Sequence, residues 1–573
     1  MKQKLLVALC CATLMSCAQQ PASSPLDFDR FANDWWEKVG QVQPNTKSGL
    51  PDMSAAALEK AHKQRLQLIA ELNKTNVSHL TEQQKINFAI LQYRLQNDID
   101  EYRFGAHYMP LTAESGFHSD VLFMLNMSSV KTDKDIQTYL EKLAAVPTYM
   151  QQQISWMQQG LKTGYTQPKA VLAGYEDSIK SFISNDPTKS PFYRPLLKQP
   201  AGIDATRWQA LQQQAKTLIS SQITPVYQQY LDFFVGQYVP GARDNIAADA
   251  LPDGAAFYQN RLEHYTTLKM TPQQVHDIGL KEVARIRAEM QQVIDKTGFK
   301  GSFADFVQFL RTDPQFYVNT PEQLLKEAAY LSKKIDAQLP KLFKTLPRTP
   351  YGVEPVPAEI APKYTTGRYS GGRAAGDPGF YWVNTYALDR RPLYELEALT
   401  LHEAVPGHHL QVALANEQEN LPSYRRSFYT SAFGEGWGLY SEYLGLEVGF
   451  YQDPYSNFGR LTYEMWRACR LVVDTGMHTM GWSRQQAIDF LAQNTALSMH
   501  NVTTEVDRYI SWPAQALSYK LGELTIKRLR QKAETVLGDK FNVREFHDAV
   551  LSNGSVPLPV LEQQIDLYIE QAR

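Results

Sequence analysis

The chain has 573 residues, of which 43% are hydrophobic and 21% charged, an ordinary globular balance that leaves core size unconstrained. Its formal net charge is only −2, which gives no support to nucleic acid or an acidic polymer as a partner.

Lys2 and Lys4 precede an apolar run from Leu5 to Met15, the layout of a secretory signal and too short for a stable membrane-spanning helix. Leu14-Met15-Ser16-Cys17 resembles the lipobox of bacterial lipoproteins. Residues 1–16 are therefore expected to be a removed signal, with Cys17 as the acylated first residue of the mature chain and a lipid anchor into the membrane. Ala18, where an aspartate would resemble an inner-membrane retention signal, favours the outer membrane facing the periplasm of a Gram-negative cell. Cys10 and Cys11 leave with the signal, so Cys469 is the remaining thiol, read as a small buried apolar residue, and no intrachain disulfide is expected. Residues 17–24 form a small, polar tether.

An aromatic-rich helix follows around Phe31 to Trp36, and the pattern after it is overwhelmingly helical. Thr81-Glu82-Gln83-Gln84 reads as a capping box, with Ile86, Ile90 and Tyr93 on one face. Thr271-Pro272 opens another helix, with Val275, Ile278, Val283, Ile286, Met290 and Val293 tracking its buried side. A composition change near 239–254 divides an N-terminal helical lobe, 25–245, from a catalytic region, 246–573. Tyr369 to Gly379, YSGGRAAGDPG, lacks the GK[ST] of a phosphate loop and reads as a flexible substrate loop or a connector. Gly379 to Tyr386, GFYWVNTY, reads as a short strand.

The chemistry concentrates in Leu401 to Gln411, LHEAVPGHHLQ. Leu396, Leu399 and His402 share one helical face. On an unbroken helix His408 would lie about 120° away from His402 and roughly 9 Å along the axis, and His409 roughly 10.5 Å along it, so neither could share a metal with His402. Pro406 removes a donor and crowds the His402 carbonyl, and Gly407 tolerates unusual backbone. A two-residue Pro-Gly bulge would bring His408 to the second ligand position, with His409 as the alternative. Glu403 is then placed as the base for a metal-activated water. Phe433 to Tyr440, FGEGWGLY, offers Glu435 as third ligand, with Glu442 its competitor or a partner that orients a histidine. Asp474 and His478, four apart on a helix, read as a supporting pair behind the site or in the core. Arg467 and Arg470 either bind a substrate carboxylate or pair with buried acids.

ALTLHEAVPGHHLQ, FGEGWGLYSE, RACRLVVDTGMHTMGWS and RYISWPAQALSYKLGE together resemble the bacterial domain of unknown function 885 family. That family is grouped with zinc metallopeptidases of the gluzincin type. FGEGWGLY is similar to the segment whose glutamate ligates zinc in metallo-aminopeptidases, so the resemblance favours Glu435 over Glu442. It also implies an oxyanion-stabilising role for Tyr519, a grip on substrate by Arg508, and an extended peptide lying along the GFYWVNTY strand within reach of Asn384.

The expectation is a mainly α, zincin-like protein, with two helical lobes around a cleft and a short β-sheet beside the active-site helix. It would bind one zinc ion through His402, His408 and Glu435, hydrolyse short peptides with Glu403 as base, and be held to the membrane through Cys17. The rival readings are a non-enzymatic metal-binding or structural envelope lipoprotein, and a zinc hydrolase of non-peptide amides or esters.

Overall fold

Side-chain caps fix where several long helices begin, because each supplies an acceptor for a backbone N–H that the helix itself cannot satisfy. Asp27 caps α1 (Phe28–Trp35). Reciprocal boxes open α2 (Glu82–Arg103) at Thr81 and Gln84, α3 (Asp133–Thr163) at Thr132 and Asp135, and α4 (Pro272–Thr297) at Thr271 and Gln274, with Pro272 in the first turn of α4. Val275, Ile286, Met290 and Val293 of α4 are buried as their spacing requires.

The computed structural model describes residues 27–36, 49–126, 130–358, 360–372, 377–419, 421–426 and 428–573. The signal, Cys17 and the tether lie outside the described residues. No helix among the described residues is long and apolar enough to cross a membrane. One apolar cluster runs from Leu50 to Ile569 and takes residues from both sides of position 245. Polar contacts tie the same two regions. Ala113 N–H donates to Ser511 Oγ at 2.9 Å, and the Gln167 amide reaches the Ser511 carbonyl at 3.1 Å.

The sheet has three strands, β1 (Tyr351–Pro355), β2 (Gly367–Ser370) and β3 (Gly379–Val383), in the order β1-β3-β2. β3 runs parallel to β1 and antiparallel to β2. GFYWV is therefore the central strand with both edges occupied, which corrects the expectation that a peptide lies along it. The strand ends at Val383. Asn384 is fully buried, and its amide donates to the carbonyls of Ala361, Tyr364 and Thr365 at 2.9 to 3.0 Å. It pins a loop and is not a substrate contact.

Beyond the sheet come α5 (Leu396–Glu403), α6 (His408–Asn416), α7 (Ser431–Leu444), α8 (Pro454–Thr479), α9 (Met499–Ser511) and α10 (Ser518–Leu537). α8 is buried on every side and packs along α4, while α7 packs along α10. The α7–α10 approach depends on glycine. A Cβ on Gly522 would stand 2.0 Å from the Ala432 carbonyl oxygen, and one on Gly436 would stand 2.6 Å from Gly522. Lys520, fully buried, binds Glu464 at 2.8 Å, Glu523 at 2.6 Å and Glu282 at 3.1 Å, joining α4, α8 and α10.

Candidate metal centre

The helix bearing His402 does break where Pro406 and Gly407 demand it, but over more chain than a two-residue bulge. α5 stops at Glu403, residues 404–407 turn, and α6 starts afresh at His408. The Val405–Pro406 peptide is cis. The turn still satisfies its backbone: Ala404 N–H reaches Thr400, His409 N–H reaches Ala404 at 3.0 Å, and Trp437 of α7 donates its indole N–H to the Pro406 carbonyl at 2.8 Å. Only glycine fits at 407, since a Cβ there would lie 1.9 Å from the His402 carbonyl oxygen.

This break brings His402, His408 and Glu435 together, with one ligand atom from each lying within 4.8 Å of the others. His402 Nε2 is 3.5 Å and His408 Nε2 3.3 Å from the same Glu435 oxygen. Donors about 2.1 Å from a tetrahedral zinc would be roughly 3.4 Å apart, so two imidazoles and a carboxylate at these separations fit that ion in charge, donor type and spacing.

The face of α7 explains how His402 is held. Its ring packs on Gly438, where a Cβ would stand 2.6 Å from Cε1 and 2.7 Å from Nε2. Glu435, three residues before Gly438, meets Nε2, and Glu442, four residues after it, meets Nδ1 at 2.7 Å. Nδ1–H donates to Glu442, so the Nε2 lone pair faces the cluster once its proton is released. Glu442 is 3.5 Å from the Arg467 guanidinium, so it stands behind the histidine and does not compete as a ligand. Burial pulls the His402 pKa down, but Glu435 and Glu442 outweigh it and raise it to about 9. Burial raises that of Glu435, yet His408 and His402 hold it well below the usual carboxylate range. Glu435 is thus already ionised, and the proton on His402 Nε2 would have to leave on metal binding.

His409 is not part of the cluster. Its Nε2–H donates to the Thr349 carbonyl and its Nδ1 accepts from the Tyr369 hydroxyl, both at 3.1 Å, while Tyr351 packs on the ring. Both nitrogens are spent on the sheet side. Glu403 accepts the Tyr369 N–H at 2.7 Å. In the β2–β3 register Tyr369 points its backbone off the outer edge, so it is β2 that presents a strand edge to Glu403, while β3 packs against α6.

Tyr519, at the start of α10, lies under Arg470 with 4.2 Å from the guanidinium carbon to the ring centre. Arg508 is buried, hydrogen-bonded to Gln515 and paired with Glu505, and Tyr519 is among the charges acting on it. Arg470 is likewise paired with Glu505 at 2.9 Å. Asp474 and His478 do not meet each other or the cluster. Asp474 takes the Tyr258 hydroxyl at 2.6 Å and the Ala514 N–H at 3.1 Å; His478 joins Ala248 N–H to the Tyr509 carbonyl. They are cross-links between segments, not supports of the metal ligands.

Three residues at the site were not singled out by motif. Tyr369 is one, Arg368 beside it a second, and Tyr429 the third. The charges acting on the Tyr429 phenol include Glu435, Tyr519, Glu403 and Arg368. Its ring lies where a Gly434 side chain would be. Tyr429 keeps 48% of its surface open, yet desolvation raises its pKa well above the usual value, the pattern of a residue lining a concavity. The only sequence signal for it is its position next to the glycine-rich α7 segment.

Fold and site thus define a mainly helical protein with a histidine-histidine-glutamate cluster of metal-ligand type set on a broken helix. The chain belongs to the DUF885 family, described as a bacterial protein of unknown function, whose model matches residues 36–565. It is similar to a crystal structure from Colwellia psychrerythraea, described as "the putative lipoprotein", with 28% identity and a TM-score of 0.87, covering 95% of this chain and 96% of that one. A "putative lipoprotein of unknown function" from Shewanella oneidensis shares the fold at 17% identity and a TM-score of 0.67, covering 94% and 99%. No curated protein matches the chain.

Proposed function

We propose that this protein is a zinc-dependent peptidase of the bacterial cell envelope, held to the outer membrane by lipid on Cys17, acting on short peptides in a cleft between its helical regions. The observation that carries the reading is the convergence of His402, His408 and Glu435 beside Glu403. Sequestering a metal needs no general base, so Glu403 favours hydrolysis over storage. Zinc bound by the three ligands would supply Lewis-acid polarisation of a water and of the scissile carbonyl. Glu403 takes the water's proton and passes it to the leaving nitrogen. Glu442 keeps His402 in the ligating tautomer. Tyr519 and Tyr429 offer phenol O–H donors to the oxygen that gains charge. With the Tyr369 N–H held by Glu403, the remaining outer edge of β2 would offer backbone groups to an extended substrate, which a non-peptide ester could not use. The name given to the Colwellia protein agrees with a lipid anchor.

The test is cleavage of a mixed peptide library by the metal-replete protein and by Glu403→Gln. Wild type is expected to turn over peptides, and the variant to keep its zinc while losing turnover by about a hundredfold or more. A variant as active as wild type would remove Glu403 from the mechanism.

A further inference from the structure

Arg368 is an exposed residue of β2, one residue from the Tyr369 N–H that binds Glu403. It stacks over Tyr364 at 5.3 Å and makes no ion pair among the described residues. The charged and ionisable groups that act on it are Tyr364, Glu403, Tyr519 and Glu114. Behind it Arg508 lies 4.0 Å from Glu114, and Arg508 and Arg470 share Glu505. Three guanidiniums and three carboxylates, Glu403 included, therefore gather in this region, and Arg368 is the guanidinium among them with no direct ion pair among the described residues. An exposed arginine not held in an ion pair, beside a reactive centre, is a ready site for an anion.

The chemistry of the leaving group says which anion. Glu403 must come within about 3 Å of the scissile nitrogen to protonate it. In a C-terminal residue the carboxylate carbon is two bonds further on, roughly 2.5 Å from that nitrogen. The free carboxylate is thus obliged to sit near Glu403, where its charge would be repelled without a cation alongside.

We propose that Arg368 binds the C-terminal carboxylate of the substrate, so that the site removes single residues from the C-terminal end of peptides. This rests on the peptidase reading above. In the step itself the water oxygen bonds the carbonyl carbon and the C–N bond breaks. The proton taken by Glu403 goes to the nitrogen of the released amino acid, and no other reactant is consumed.

Two N-acetylated peptides, identical except for a C-terminal acid or a C-terminal amide, test it. Products are identified by mass spectrometry for metal-replete wild type and Arg368→Gln, and binding of both peptides to Glu403→Gln is measured by calorimetry. Wild type is expected to release the last residue of the acid at least about tenfold faster than it cleaves the amide, and Arg368→Gln to lower the acid to the rate of the amide. Glu403→Gln should bind the acid about tenfold more tightly than the amide. Equal cleavage of acid and amide, internal cleavage, or discrimination that survives in Arg368→Gln overturns the carboxylate assignment and leaves the peptidase standing. Cleavage of neither peptide, with equal binding of both, overturns the two together.

Discussion

His402 is clamped between two carboxylates, one on each ring nitrogen, and the two do different work. Glu435 shares the ligand side. Glu442 is buried behind the ring, and one of its oxygens has no hydrogen-bond partner, so its charge is spent on Nδ1–H and on Arg467. Glu442→Gln removes that charge but keeps the shape. Zinc affinity, read by competition with a chelator, is expected to fall about ten- to a hundredfold; an unchanged affinity would show that Glu442 does not tune the ligand. The residues also show what the motif reading could and could not reach. The chemistry of LHEAVPGHHLQ points to donors that the fold does gather, His402 and His408. Only the direction taken by the backbone after Glu403 separates His408 from His409, and that direction involves a contact with α7 at Trp437, 31 residues beyond Pro406.

At the scale of elements, the arrangement comes from where side chains are absent. Gly407 lets the turn fold back on the His402 carbonyl, and Gly438 lets α7 seat the imidazole. Gly438→Ala is expected to displace His402, costing about 1–3 kcal/mol in denaturant unfolding and weakening zinc binding with it. Gly236→Ala, where nothing lies within 4 Å of the added carbon, should leave zinc binding unchanged and, being in a helical segment, not lower stability. Equal effects at the two positions would mean that Gly438 acts only through helix flexibility. The capped helices were legible because caps and their partners are three residues apart in sequence. The sheet was legible only in part. β3 shows itself as an aromatic run, but β2 has four residues, too few to display alternation, so Tyr369 reads as the start of a loop and Arg368 carries no signal. Asn384 looked available because its partners, the carbonyls of 361, 364 and 365, carry no sequence signature.

Across the whole molecule, buried neutral histidines join distant segments. His547 Nδ1–H donates to the Leu342 carbonyl at 2.8 Å, and Nε2 accepts from Tyr440 of α7 at 2.9 Å. Burial pushes its pKa down to about 3, against about 6.5 in an unfolded chain. The unfolded state therefore binds the extra proton first. The stability this histidine contributes is complete above pH 6.5 and is lost as pH falls toward 3. His547→Gln should lower the thermal midpoint most near pH 7, with the gap to wild type narrowing steadily down to pH 4. A gap independent of pH would contradict a neutral His547. Such long-range joints lie outside what a single sequence reveals, because their two halves are 107 and 205 residues apart.

If His402, His408 and Glu435 form one metal site from which His409 is excluded, zinc content per chain after metal-replete purification will show it. One equivalent is expected in wild type and in His409→Gln, and none in Glu435→Ala. A wild type without zinc, or a loss in His409→Gln with retention in Glu435→Ala, would contradict it.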